Sequence, residues 1–157
     1  MTIQIGDKIP SVSFKQITAD GLVDVSCDDY FKGRKVALFS VPGAFTPTCS
    51  AQHVPSYVGN ADALKAKGVA AVACVAVNDA FVMKAWGEAQ SVGDAVDMLA
   101  DGNGEFARAT GLTLDGSGFG LGERSTRFSM IVDDGTLSQL NVESNPSEMG
   151  VSRAEHM

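Results

Sequence analysis

The sequence predicts an α/β fold in a single domain over residues 1–157: a central mixed β-sheet flanked by helices, with an N-terminal β-hairpin extension. Three patterns indicate this fold. Apolar runs at 36–41 and 69–77, each followed by a helix-like segment, are typical of buried strands in strand–helix–strand units. Two short alternating segments begin the chain and predict the hairpin. A second pair of strands is joined by Asp133-Asp134-Gly135, because Asp-Gly favours hairpin turns.

The first predicted strands cover 9–14 and 22–26, on either side of the turn Ala19-Asp20-Gly21. A short helical turn at 27–33 leads into the strand at 36–41. Pro42-Gly43 ends that strand, so a loop is expected directly after it.

Thr46-Pro47 has the form of a helix start, with a hydroxyl cap followed by proline at the first helical position. The helix is predicted to run to Lys67, where Gly68 ends it. Pro55 lies inside this span, and a kink is expected there because proline lacks an N–H and crowds the preceding turn.

The remaining elements follow from apolar runs, caps and turns. They are a central parallel strand at 69–77, a helix at 80–90 capped by Asn78-Asp79, a strand at 98–101, a helix at 105–110, a flexible glycine-containing loop at 113–122, strands at 127–132 and 136–142, and a helical tail at 146–157. This order fits a thioredoxin-like fold, in which right-handed crossovers place the strand ends on one edge of the sheet.

Charge and composition exclude several classes of partner. The 12 basic and 19 acidic residues give a net charge of −7 and a pI near 4.6, which argues against nucleic acid and anionic membranes. The longest apolar stretch has about nine residues, too few to span a bilayer. No secretory pattern begins the chain, and three cysteines without a C-x-x-C motif predict a reducing, cytoplasmic location.

Cys49 is the candidate nucleophile. Its predicted position, in the first turn of the helix that begins at Thr46-Pro47, places the thiol near unpaired backbone N–H groups and the positive end of the helix dipole. Both favour the thiolate, which is the reactive form.

The pattern Pro42-x-x-x-Thr46-x-x-Cys49 resembles the peroxiredoxins, and the string at 41–50 resembles their type-five subfamily, called type II in plants. Segments 67–86 and 127–130 resemble the same subfamily, so the resemblance covers most of the chain. It implies a thiol-dependent peroxidase that reduces hydrogen peroxide and alkyl hydroperoxides, forms homodimers, and uses no metal, flavin or haem.

The resemblance also assigns roles to residues. Cys49 would attack the peroxide and become a sulfenic acid. Thr46 would hydrogen-bond the thiolate and the peroxide oxygen, Arg127 would hold its guanidinium beside the sulfur, and Pro42 would shield the site. Thr48 departs from the glycine found at this position in many members.

The sequence favours a one-cysteine cycle, because no cysteine follows Cys74. An external thiol would then reduce the sulfenic acid, with glutathione plus glutaredoxin favoured over thioredoxin. A Cys49–Cys74 disulfide is the alternative and requires local unfolding. Cys74 is expected to be buried in its strand, and Cys27 to be partly exposed.

Other residues leave alternatives open. His53, four residues after Cys49, could tune the thiolate, take part in proton transfer, or simply pack near the predicted kink. A structural zinc site needs four ligands, and the chain offers only His53, His156 and three scattered cysteines, so no metal site is expected. Arg124 either joins the arginine site or is a solvated charge. Phe45 and Phe119 either line an apolar rim or a subunit contact, or pack in the core. A redox sensor that acts by disulfide exchange is the alternative to an enzyme.

Overall fold

The computed structural model describes residues 2–47, 52–145, 150–154 and 157. No helix in this part of the chain is long and apolar enough to cross a membrane. Its elements, in chain order, are β1 (Ser13–Thr18), β2 (Gly21–Ser26), α1 (Cys27–Tyr30), β3 (Lys35–Ser40), α2 (Val54–Ala66), β4 (Ala71–Ala76), α3 (Ala80–Ala89), β5 (Asp97–Ala100), α4 (Glu105–Thr110), β6 (Thr113–Asp115), β7 (Glu123–Ser125), β8 (Phe128–Asp133) and β9 (Thr136–Val142).

Seven strands in the described residues form one mixed sheet in the order β2-β1-β5-β4-β3-β8-β9. Strands β3, β4 and β5 are parallel, whereas β8 pairs antiparallel with β3 and β9, and β1 pairs antiparallel with β2 and β5. The predicted mixed sheet and its N-terminal hairpin are therefore confirmed. The carboxyl ends of β3, β4 and β5 lie on one edge, where sheets of this kind bind ligands.

Each face of the sheet has its own apolar core. Helices α2 and α3 cover one face, where Phe39 and Cys74 of the central strands pack with Tyr57 and Trp86. The opposite core contains the alternate residues of β3 and β4, packed against aromatic side chains from β1, α4 and the segment after α1. Burial on both faces explains why β3 and β4 are apolar at nearly every position.

The structure corrects several boundaries. The first strand begins at Ser13 rather than at residue 9, because the Ile9 N–H bonds to the Gly135 carbonyl instead of pairing within the hairpin. The predicted flexible loop at 113–122 contains β6 and a 3₁₀ turn at Ser117–Phe119, and β6 pairs with β7 as a small hairpin.

The helix and tail predictions also change. Pro47 is helical, as the predicted helix start at Thr46-Pro47 requires. Pro55 lies in the first turn of α2, and the residues just before it, 52–53, are π-helical, with His53 in helical dihedral angles. The irregularity expected at Pro55 therefore takes the form of a π-helical turn directly before α2. Residues 150–153 form bends and turns and Ala154 is in a 3₁₀ turn, so the predicted helical tail is wrong at 150–153. Residues 146–149 and 155–156 lie outside the described residues.

Candidate active site

The loop at 41–47 leaves the carboxyl end of β3 and is held by hydrogen bonds to its own backbone and to the end of β4. The Ala44 N–H donates to Asn78 Oδ1 at 2.9 Å, and the Thr46 hydroxyl donates to the Gly43 carbonyl at 2.7 Å. Phe45 has a φ of 65°, which is unfavourable for a bulky residue. Such backbone strain is typical of functional loops whose surroundings fix their shape.

Arg124 braces this loop. Its guanidinium donates to the Val77 carbonyl at 3.1 Å and its Nε–H to the Leu121 carbonyl at 2.8 Å. A side chain at Gly43 would bring a Cβ within 3.4 Å of Arg124 Nη1 and 3.2 Å of Thr46 Cγ2. Arg124 is therefore not a free solvated charge: it ties the β6–β7 hairpin to the end of β4, next to Gly43 of the loop.

Arg127 lies immediately before β8, and its side chain is almost fully buried, at 2% exposure. Its Nη1 lies 2.7 Å from Nδ1 of His53. A guanidinium has only donors, so Nδ1 must be the acceptor in this bond. The other ring nitrogen, Nε2, lies 3.2 Å from the Ser152 carbonyl and must therefore carry the proton.

His53 stays neutral in this environment. Burial, followed by the positive charge of Arg127, lowers the pKa of His53 from 6.5 to about 3. The ring also packs on Phe39, with ring centroids 4.8 Å apart. His53 therefore does not exchange protons near neutral pH, and of the two interpretations offered by the sequence the structure supports a packed residue, one that also holds Arg127.

An open cavity of about 480 Å³ lies against this group. Pro42, Thr46 and Arg127 all line it, so three of the four predicted site residues meet at one cavity. Cys49 itself lies outside the described residues, and Pro47, the last described residue before it, also lines the cavity. The rest of the lining is Leu114, Asp115, Gly116, Phe119, Leu121 and Asn145.

Phe45 and Phe119 are both exposed, at 56% and 89%, so neither belongs to the core. Phe119 lines the cavity, while the ring of Phe45 lies 6.4 Å from that of Trp86. The structure therefore supports the rim interpretation for Phe119, whereas Phe45 is exposed beside Trp86 and is not part of the described cavity lining.

The two remaining cysteines are buried. Cys74 lies fully buried in the middle of β4, as predicted. Cys27 was expected to be partly exposed, which is wrong: it is 2% exposed, because α1 folds its first residue into the core beside Phe14 and Phe31. Burial raises the pKa of the Cys27 thiol to about 12, which leaves it protonated and unreactive.

Sequence reasoning missed several residues that support the site. Asn78 was assigned to capping, but Asp79 caps α3 and Asn78 binds the loop instead. The Ser152 carbonyl accepts a hydrogen bond from His53, and Glu143 accepts one from the Ser152 N–H. The first of these bonds joins distant parts of the chain, so no local sequence pattern reveals it. Among residues 2–47, 52–145, 150–154 and 157, no group of three His, Cys, Asp or Glu side chains could hold a metal ion.

Known proteins similar to this chain share both its sequence and its fold. The family described as Redoxin matches residues 4–157. The chain is 48% identical to the chloroplastic peroxiredoxin-2E-2 of Oryza sativa subsp. japonica, covering 99% of this chain and 71% of that protein. It is 46% identical to peroxiredoxin-2D of Arabidopsis thaliana, covering 98% and 94%. The crystal structure of reduced Prx3 from Vibrio vulnificus in complex with H₂O₂ matches with a TM-score of 0.94 and 51% identity, covering 99% and 96%.

Fold and relatives together define a thioredoxin-like enzyme of the thiol-dependent peroxidase class. The chain belongs to the peroxiredoxins, in the type-five subfamily called type II in plants. The resemblance seen in the sequence is confirmed, and the enzyme interpretation is supported over the redox sensor.

Proposed function

We propose that Cys49 is the peroxidatic residue and reacts in the cavity lined by Pro42, Thr46 and Arg127. The Cys49 thiolate attacks the terminal oxygen of R–O–O–H, an S–O bond forms, and the O–O bond breaks. Sulfur loses two electrons and becomes a sulfenic acid, while RO⁻ takes a proton and leaves as water or an alcohol. The convergence of these three side chains beside Pro47, two residues before Cys49, is the observation that carries the proposal.

Arg127 would stabilise the negative charge that moves from sulfur to the departing oxygen. Its neutral partner His53 leaves the guanidinium charge uncompensated in that contact, whereas a carboxylate would oppose it. Donors aimed at charge that develops in the transition state accelerate the reaction more than they tighten substrate binding. One such donor contributes about 3 kcal/mol, or about 10²-fold in rate.

Thr46 would orient the peroxide. Its hydroxyl donates to the Gly43 carbonyl at 2.7 Å, which fixes the side chain at the cavity wall. A hydroxyl can both donate and accept, and we propose that the O–H of the hydroperoxide donates its proton towards the Thr46 oxygen. That bond would orient the terminal oxygen for attack, in keeping with the contact to the peroxide oxygen that the resemblance implies.

The cavity lining supports alkyl hydroperoxides as substrates in addition to hydrogen peroxide. Leu114, Phe119, Leu121 and the two prolines present apolar surface around the polar groups. An alkyl chain gains free energy by leaving water for such a surface, whereas hydrogen peroxide has no apolar part to bury.

We propose a one-cysteine cycle with external reductant. The sulfenic acid would condense with an outside thiol, forming a mixed disulfide and water, and a second thiol would then release Cys49. Cys27 and Cys74 are buried in the two cores, so neither reaches the cavity without unfolding. Glutathione with glutaredoxin is the favoured reductant, and a thioredoxin-dependent cycle through Cys74 is the alternative, which would require β4 to open.

We also propose that the chain forms homodimers and acts in a reducing, cytoplasmic location. The exposed rings of Phe45, on the loop at 41–47, and of Phe119, at the cavity, would give a second subunit apolar surface to cover.

Peroxide consumption by the purified chain tests the assignment. Hydrogen peroxide and cumene hydroperoxide would be followed with glutathione plus glutaredoxin and, separately, with thioredoxin. Cys49→Ser should abolish turnover with both peroxides. Cys27→Ser and Cys74→Ser are the matched controls and should retain it; loss of turnover in Cys74→Ser with thioredoxin alone would support the two-cysteine alternative. Turnover that survives Cys49→Ser would refute the proposal.

A further inference from the structure

Glu143 is a buried acidic residue that the proposed chemistry does not use. It follows β9 and is only 8% exposed. Its Oε1 accepts hydrogen bonds from the Gly150 N–H at 2.6 Å, the Ser152 N–H at 2.9 Å and the Ser152 hydroxyl at 3.3 Å. Bonds to a charged acceptor are stronger than neutral ones, so this carboxylate fixes the backbone at residues 150–152.

The turn at 150–154 then contacts α2 at the residues nearest the site. The Ser152 carbonyl accepts from Nε2–H of His53 at 3.2 Å and from the Tyr57 hydroxyl at 2.8 Å. A second attachment is independent of this carbonyl: the Ala154 N–H donates to Ser56 Oγ at 3.1 Å. Glu143 therefore determines where an acceptor meets the buried ring of His53.

Arg127 and the Ser152 carbonyl together fix which ring nitrogen of His53 carries the proton. With Ser152 on one side and Arg127 on the other, only the Nε2–H tautomer makes both bonds. The Nδ1–H tautomer would point a donor at the guanidinium and leave Nε2 facing a carbonyl with no proton between them. Both contacts would then be repulsive, and buried groups without partners are costly.

We propose that Glu143 is a positioning residue for the active-site arginine. Its carboxylate holds the Ser152 carbonyl, the carbonyl holds His53 as the Nε2–H tautomer, and Nδ1 of His53 holds the Arg127 guanidinium at the cavity. The turn at 150–154 thus supports Arg127 through the Ser152 carbonyl and His53, although none of its side chains is among the described residues that line the cavity. The kinetic consequence rests on the proposed function, whereas the tautomer does not.

Imidazole ¹⁵N–¹H NMR of the full chain tests the tautomer directly. In the wild type, the resonances of His53 should show one protonated Nε2 and one unprotonated Nδ1, unchanged between pH 5 and pH 8. His156→Gln assigns the signals. A proton on Nδ1 of His53 in the wild type would overturn the proposal, whatever the variants do.

Glu143→Gln is the informative variant, since glutamine keeps the size but replaces one acceptor oxygen by an N–H donor facing backbone N–H groups. In this variant the Nε2–H signal of His53 should shift and exchange with solvent faster, because its Ser152 acceptor is displaced, while Nδ1 stays unprotonated against Arg127. Ser56→Ala is the matched control: it removes the Ala154–Ser56 attachment of the same turn and should leave the Nε2–H signal unchanged. Unchanged His53 resonances in Glu143→Gln would overturn the proposal.

Kinetics then separate positioning from general destabilisation. Glu143→Gln should lower kcat/KM for hydrogen peroxide about tenfold, the factor expected for one lost hydrogen bond. In an Arg127→Gln background the same change should have no further effect, because the group being positioned is absent. Equal losses in both backgrounds, or slower turnover with an unaltered Nε2–H signal of His53, would refute the role. If Cys49 proves unreactive with peroxide, the proposed function fails. The NMR measurements on His53 still test whether Glu143 positions it.

Discussion

His53 makes the fold sensitive to mild acid in a way that one substitution should remove. In the folded chain its pKa is about 3, because burial and the charge of Arg127 oppose protonation. In the unfolded chain it returns to its ordinary value of 6.5. Between these two values the unfolded state binds more protons, so stability must fall as the pH falls through this window.

The size of the effect follows from the two pKa values. At pH 5 an unfolded histidine is almost fully protonated while His53 in the fold is neutral, which favours unfolding by about 2 kcal/mol. At pH 7 the same contribution is only a few tenths of a kcal/mol. Protonation of His53 in the unfolded state should therefore lower the free energy of unfolding by about 2 kcal/mol between pH 7 and pH 5. This is a large part of the stability of a small domain.

Urea denaturation of the wild type and His53→Gln at pH 7 and pH 5 measures this contribution. Glutamine can accept from Arg127 and donate to Ser152 but does not titrate. The stability difference between the two proteins should shift by about 2 kcal/mol in favour of the variant at pH 5. Taking the difference between the two proteins at each pH cancels the contributions of all other titrating groups. One of these is Asp101, whose pKa is raised by burial, so its contribution to stability changes with pH in the opposite direction. A difference that does not change with pH would refute the buried, neutral histidine.

Three further predictions follow from the site and its scaffold. Arg127→Lys should lower kcat/KM for hydrogen peroxide about 10²-fold and raise the pKa of Cys49, because a single ammonium replaces the planar set of guanidinium donors. The pH dependence of Cys49 alkylation measures this pKa, and an unaltered profile would contradict stabilisation of the thiolate by Arg127. Phe119→Ala should raise KM for cumene hydroperoxide about fivefold, the loss of ~1 kcal/mol of apolar contact, and change KM for hydrogen peroxide much less; equal changes would exclude a substrate contact. Asp101→Ala should lower the free energy of unfolding in urea by about 2 kcal/mol, because the two carboxylate oxygens accept hydrogen bonds from the N–H groups of Phe106 and Ala107 at 3.0 and 2.9 Å. A loss near zero would show that water replaces these two bonds.

Elements defined by local signals were predictable from the sequence. The apolar runs in β3 and β4 are typical of buried strands in a sheet covered on both faces, and the Asp-Gly turn indicates the pairing of β8 with β9. Helix α4 was placed residue for residue because Gly111 ends it in the left-handed conformation. In each case the deciding interaction lies within a few residues of the pattern.

The errors arose where distant contacts decide the structure. Glycines at 116–122 suggested a flexible loop, but the Gly116 N–H bonds to the Gly122 carbonyl at 2.7 Å, and Arg124 ties the resulting hairpin to β4. Burial of Cys27 depends on side chains of β1 that its own neighbours do not reveal. The motif identified Thr46 and Arg127, yet nothing in it indicates that a neutral His53 and the carboxylate of Glu143 lie behind the arginine.

The most direct test of the account is the second-order rate constant for oxidation of Cys49 by hydrogen peroxide, followed by rapid quenching and mass spectrometry of the sulfenic acid. The wild type should react orders of magnitude faster than free cysteine, and Arg127→Gln should lose about 10² of that advantage. A wild-type rate equal to that of an ordinary thiol, or a rate that Arg127→Gln leaves unchanged, would contradict the claim that this cavity activates Cys49.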